Sequence, residues 1–197
     1  MELSMSLPYV STYLGNQFYL NDPSINDVAI EDIAHGLAFQ CRFNGQTQAF
    51  YSVAQHSLIV MSLVEEEQRL AALLHDAAEA YLGDMVKPLK QLFPEFSQIE
   101  SKVMAIIGQR FGIDLTRLHP TIKKADLIAL ATEKRDLMPY STEPWSYLAG
   151  VDPLSELIIP MEPFAAKSAF LEAFARLTNE GQAVPNIAAA KITGLTS

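Results

Sequence analysis

Cysteine is nearly absent: Cys41 is the single one among 197 residues. No intrachain disulfide can form, which fits a reducing compartment and leaves stability to the core. Basic residues are scarce. Lys and Arg number 14 against 23 Asp and Glu, for a net charge of −9. Such a chain repels a nucleic-acid backbone, so no polymer-binding surface is expected. A small anionic substrate stays open, because a bound cation and a few basic side chains reverse the field locally. No apolar run approaches the ~18 residues that span a bilayer. Met1-Glu2-Leu3-Ser4 opens no basic stretch followed by an apolar one, so neither a membrane span nor a signal peptide is expected, and the reading is a cytoplasmic protein. Internal repeats, low-complexity blocks and strand patterns are lacking as well.

What is present is apolar: 49% of residues, with 19% charged. That composition and length suit one domain with its own core, expected over about 25–178, with a weakly patterned tail over 180–197. Residues 1–25 read as an ordered loop with a short hairpin around Gly15-Asn16. Helical spacing begins after Asn26, with Val28, Ile30, Ile33, Ala34, Leu37 and Ala38. Ser52-Val53-Ala54-Gln55 matches a capping box and opens a second helix. A third is expected from about Glu65 to Tyr81, stopped by Gly83. Further helices are expected at about 96–111, at 120–136 and at 163–178. Residues 137–163, with five prolines around Trp145, read as a long irregular crossover. The sum is an all-α bundle of about five to seven helices.

The chemistry centres on His75-Asp76, adjacent residues on an apolar helix, with Glu79 four residues after His75 on the same face. A buried charge there needs a partner or a metal. Of four histidines, His56 lies on the preceding helix, and Asp126 sits in an apolar stretch of a later one. Three helices thus offer imidazole and carboxylate toward one point, a ligand set suited to Mn²⁺, Co²⁺, Fe²⁺, Zn²⁺ or Ni²⁺.

The order His56 … His75-Asp76 … Asp126 resembles the ligand pattern of the HD superfamily of metal-dependent phosphohydrolases. The stretches Cys41-Arg42-Phe43-Asn44-Gly45, Phe50–Ser57, His75–Asp84 and Ala131–Asp136 resemble a small bacterial and prophage branch related to 5′-deoxynucleotidases and nucleoside-triphosphate phosphohydrolases. The likeness covers about residues 25–175. It implies that His56, His75, Asp76 and Asp126 hold one divalent ion (Mn, Co, Fe, Zn, Ni or Mg), with a second arriving only alongside a polyphosphate. It implies that Glu79 handles the proton of water or leaving group and that Asp84 holds the sugar or assists proton transfer. Arg42 and Lys90 would meet phosphate, and Phe43 would wall the sugar pocket. The chain departs from the branch at Val86, where related chains often carry proline, and this bears on loop geometry.

The expected activity is removal of phosphate from a (deoxy)nucleoside 5′-mono- or polyphosphate by an activated water. Rival readings are a catalytically silent nucleotide-binding protein and an HD-fold di-iron oxygenase, the latter needing more histidines than the chain supplies. Oligomeric state stays open, a homodimer included. Plainer roles are expected elsewhere. His35 reads as a core or interface histidine, His119 as a cap, and Cys41 as buried and inert. Tyr81 and Trp145 read as core, with stacking on a base as the alternative, and Met61, Met85, Met104 and Met138 read as core. The run Glu133-Lys134-Arg135-Asp136 reads as a solvated face, within which Glu133 could support Asp126.

Overall fold

The structure, a computed structural model, describes residues 7–178. The expectations for Met1–Ser4 and for the 180–197 tail fall outside the described residues. The hairpin forms as expected. Strand β1 (Tyr9–Ser11) pairs antiparallel with β2 (Gln17–Tyr19), Val10 opposite Phe18. Phe18 is fully buried and stacks on Tyr81 with ring centroids 3.9 Å apart. The core therefore starts earlier in the chain than residue 25, because one aromatic of the hairpin reaches into it.

Eight α-helical segments follow among the described residues. They are α1 (Ile30–Phe39), α2 (Val53–Ser62), α3 (Arg69–Leu73), α4 (Glu79–Leu82), α5 (Lys87–Lys90), α6 (Pro94–Phe111), α7 (Pro120–Asp136) and α8 (Pro163–Thr178). The fold is all-α, with the hairpin as an appendage. The count exceeds seven because the helix expected over 65–81 does not form as one piece and because Lys87–Lys90 adds the short helix α5. A 3₁₀ turn at Glu66–Gln68 leads into α3, the chain turns over 74–78, and α4 restarts at Glu79. The break has a local cause. Leu74 leaves helical geometry at φ −100°, ψ 8°, and the bonds that follow close three residues apart: Ala77 N to Leu74 O, Glu79 N to Asp76 O.

Helix α2 lies at the centre, packed against α1, α3, α7 and α8. It is buried on every side, from Val53 through Leu58 and again at Val60 and Met61, as expected of a helix apolar all round. Ser52 caps it, its Oγ accepting from Gln55 N at 3.1 Å. The Gln55 side chain, expected to reach back to the cap, instead donates to Ile159 O and accepts from Met161 N, both at 2.8 Å. Fully buried Leu37, Leu73, Leu74, Ile107, Ile122 and Phe170 share one core cluster with the apolar residues of α2. Each such side chain contributes about 1.5–3 kcal/mol by leaving water. Helix α1 crosses α4 so closely that a Cβ at Gly36 would lie 2.8 Å from Ala80 O. Only glycine fits there.

The crossover at 137–162 is irregular but strapped down by polar groups. Asp136 accepts from Ile158 N (2.8 Å), Thr132 from Leu154 N (2.9 Å), and Arg135 donates to Leu154 O and Glu156 O. Lys134, Arg135 and Asp136 are thus a clamp on this segment rather than a solvated face. Among the described residues, no helix is long and apolar enough to cross a membrane.

Candidate metal centre

His56 occupies the buried middle of α2, and His75 the turn between α3 and α4. Their rings lie 5.2 Å apart. Each is fixed through Nδ1. His56 Nδ1 donates to Glu133 Oε1 at 2.6 Å, and His75 Nδ1 donates to Ala72 O at 2.8 Å. Pinning Nδ1 leaves Nε2 as the ligating nitrogen, the second support that metal-binding imidazoles ordinarily have. Both Nε2 atoms are buried without a well-aligned hydrogen bond, each facing a carboxylate oxygen 3.2 Å away, an arrangement that costs free energy unless something fills it.

Asp126 on α7 brings Oδ1 to 3.2 Å from His56 Nε2. His56, His75 and Asp126 offer ligand atoms all within 4.8 Å of one another. This His-His-Asp group could hold a metal ion. Asp76 lies outside that triad, yet its Oδ2 is 3.2 Å from His75 Nε2 and 3.6 Å from His56 Nε2. Ligands at ~2.1 Å from an ion sit roughly 3.0 Å apart when adjacent and about 4.2 Å when opposite, so Asp76 stands at ligand spacing from both imidazoles, outside the mutually close triad. The imidazoles form the buried floor. The carboxylates are the outer wall, with 40% of the Asp126 side chain exposed and 23% of Asp76.

Electrostatics follow from this crowding. Burial and Arg42 oppose a charge on His56, but the adjoining carboxylates of Glu133 and Asp126 outweigh them and push it up to about 10. Asp76 is held well below the carboxylate range: burial opposes, and His75, His56 and Arg42 prevail. Glu79 goes the other way, raised far above its ordinary value by burial, then by Asp76 and Asp84. It is almost fully buried, with Oε2 unpartnered and Oε1 3.6 Å from Lys90 Nζ. Asp84, half-buried after Gly83, is raised too, first by burial and then by Asp76.

Arg42 reaches the centre already engaged. Its Nε and Nη2 donate to Glu133 Oε2 at 3.2 and 3.1 Å, and Nη1 lies 3.7 Å from Asp76 Oδ2. Lys90 Nζ pairs with Glu100 at 2.7 Å beside its approach to Glu79. Phe43 and Asn44 both sit in the left-handed region, at φ 55° and 51°. Each costs roughly 1–2 kcal/mol there, and the turn carries the Phe43 ring toward Trp145, 5.9 Å between centroids. Val86 has φ −57°, ψ 143°, a φ that proline would also adopt. The departure at this position leaves the loop's backbone angle unchanged in kind.

Glu133 is the residue whose importance the sequence understated. Fully buried, it accepts from His56, Arg42 and Tyr51 Oη (3.0 Å) together. It supports His56 rather than Asp126. The available signal was its place two turns after Asp126 on one helix face. His35 and His119 take no part. His35 stacks between Tyr13 and Phe39, and His119 caps α7, accepting from Thr121 N. Tyr81 is core as expected, whereas Trp145 is half-buried, packed on Phe43 and Tyr147 outside the core. Met61 and Met104 are buried, but Met85, Met138 and Cys41 are only half-buried.

No protein-family model matches the chain. An uncharacterized protein of Rhodobacter capsulatus is 41% identical over 140 residues, 64% of this chain and 71% of that one. The uncharacterized protein YfdR of Escherichia coli K12 is 40% identical over 170 residues, which are 85% of this chain and 94% of YfdR. At that identity and coverage, the chain belongs to the family of YfdR.

Proposed function

We propose that the protein is a metal-dependent phosphohydrolase of the HD type acting on nucleotides, with His56, His75, Asp76 and Asp126 as ligands. The observation that carries this reading is the pair of buried Nε2 atoms, without well-aligned hydrogen bonds and flanked by two carboxylates. The mixed nitrogen and oxygen set suits a first-row divalent ion such as Mn²⁺, Co²⁺, Fe²⁺, Zn²⁺ or Ni²⁺, or Mg²⁺. Bound there, the ion supplies acidification of a water and polarisation of a phosphoryl oxygen.

The chain's own groups supply the rest. Glu79, with its carboxyl raised far above the usual range by burial first, holds a proton suited to donation to a leaving oxygen. Arg42 and Lys90 bring positive charge to the edges of the centre, where it offsets charge developing on phosphate. Glu133 keeps His56 in register. A nucleoside as the esterified group rests on the resemblance to 5′-deoxynucleotidases.

The test is phosphate release from ribo- and deoxynucleotides at each phosphorylation level, with each metal in turn. Asp76→Ala is expected to lose both bound metal and turnover while the helical circular-dichroism spectrum persists. Retained turnover in that variant refutes the ligand assignment. A silent nucleotide-binding role is disfavoured because the four ligands and Glu79 are all present together. The di-iron alternative is disfavoured because His35 and His119 are engaged away from the centre.

A further inference from the structure

Two separate routes lead outward from the metal centre to the same aromatic patch. Along the first, Asp76 meets the Arg42 guanidinium at 3.7 Å, that guanidinium lies 5.3 Å over the Phe43 ring, and Phe43 packs on Trp145 at 5.9 Å. Along the second, Glu79 meets Lys90 at 3.6 Å, and Lys87 of the same short helix α5 lies 4.5 Å over the Tyr147 ring. Trp145 and Tyr147 close the loop with centroids 5.8 Å apart at an interplanar angle of 30°. Lys134 lies 5.1 Å over Trp145.

This patch stands on the proline-rich crossover, which polar side chains of α2 and α7 strap in place. Trp145 is only half-buried and Tyr147 is 40% exposed. Neither ring belongs to a buried hydrophobic cluster. Adjacent, partly open rings tilted by 30°, with lysines at their faces, suit a flat aromatic ring carrying negative charge nearby. In a chain of net charge −9, a local pair of lysines beside the centre also draws an anion inward.

We infer that Trp145 and Tyr147 form the platform on which the base of a nucleotide stacks while its phosphate lies at the metal centre. The inference rests on the phosphohydrolase reading for its phosphate end, but its aromatic end can be tested alone. Trp145 is the sole tryptophan of the chain, so intrinsic fluorescence reports on this ring and no other.

The experiment titrates the full-length protein with deoxyadenosine, deoxyadenosine 5′-monophosphate and 2-deoxyribose 5-phosphate, recording tryptophan emission and phosphate release. The nucleoside and the nucleotide are expected to quench emission saturably, and the sugar phosphate is not. In Trp145→Ala, the preference in kcat/KM for nucleotide over sugar phosphate is expected to fall roughly tenfold through KM, with Trp145→Phe recovering most of it. Phosphate release without quenching, and with the preference intact in Trp145→Ala, overturns the platform and leaves the hydrolase standing. Quenching without phosphate release keeps the platform and overturns the hydrolase. Neither signal at millimolar concentration overturns both.

Discussion

Two regions of this protein are built around histidine, and they put the same ring to opposite uses. At the candidate metal centre, His56 and His75 each spend Nδ1 on an internal acceptor and leave Nε2 buried among carboxylates without a well-aligned hydrogen bond. At the hairpin end, His35 is a flat packing element, with Tyr13 at 3.9 Å and Phe39 at 4.4 Å on its faces and Lys167 3.4 Å from its Nδ1. An acceptor at one nitrogen, the Glu133 carboxylate or the Ala72 carbonyl, leaves the other free to ligate. A cation beside the ring makes it an aromatic spacer. The difference is set by what the neighbouring helix presents, not by the residue type.

The sharpest way to break this contrast is by metal content. His75→Ala is expected to abolish bound metal, and His35→Ala to retain it, as read by inductively coupled plasma mass spectrometry. Equal loss in both variants would erase the distinction. Next in size is the support beneath His56. Glu133→Ala leaves Arg42, Tyr51 and His56 Nδ1 without their buried acceptor, and the expected loss is about 3–5 kcal/mol. At roughly 2–4 °C per kcal/mol for a chain of this length, the fall in Tm is readable by thermal melting. A change under about 1 kcal/mol would mean that Glu133 does not organise the centre.

A smaller effect tests whether the two regions are mechanically joined. Gly36, beside His35, lies against Ala80, beside Glu79. Gly36→Ala is expected to cost about 1–3 kcal/mol by overpacking and to depress turnover by shifting Glu79. Unchanged thermal stability would refute the tight crossing.

The smallest effect is in titration. In the cation-free protein, His56 is held protonated up to about 10 against an ordinary 6.5. Its contribution to stability is therefore fully present below pH 6.5 and lost as pH rises through about 10. His35 is lowered, by burial first and Lys167 second. Its contribution is present above pH 6.5 and lost as pH falls below that value. Imidazole ¹⁵N resonances should show His35 deprotonated at pH 7 and His56 still charged at pH 8. A His56 that titrates near 6.5 would sink the electrostatic account of the centre.

Much of the molecule was readable beforehand, and for identifiable reasons. Helices α7 and α8 begin and end where Pro120, Pro163 and the apolar spacing predict, because proline at a helix start and periodicity along it are local properties. The His56, His75 and Asp126 cluster was likewise legible, since ligating side chains in apolar helical stretches need a common partner. Other features were not. The break at 74–78 turns on one backbone geometry and a run of three-residue hydrogen bonds, which apolar spacing does not register. Arg42 as a partner of Glu133 joins residues 91 positions apart. Gln55 and Arg135 as clamps on the crossover are long-range pairings too. Trp145 has an apolar character that points to the core, but proline-rich backbone holds it at the rim.

The sequence by itself determined the class of fold, the helices that carry His56 and Asp126 and the residue types that could meet at a cation, since these follow from periodicity, capping and side-chain chemistry. Only the tertiary structure decided which nitrogen of each histidine faces inward, that Glu133 joins His56, Arg42 and Tyr51, and that His35 is packing while His56 and His75 face the centre. Those outcomes depend on distances of about an ångström between residues far apart in the chain, and such distances are fixed by helix packing alone.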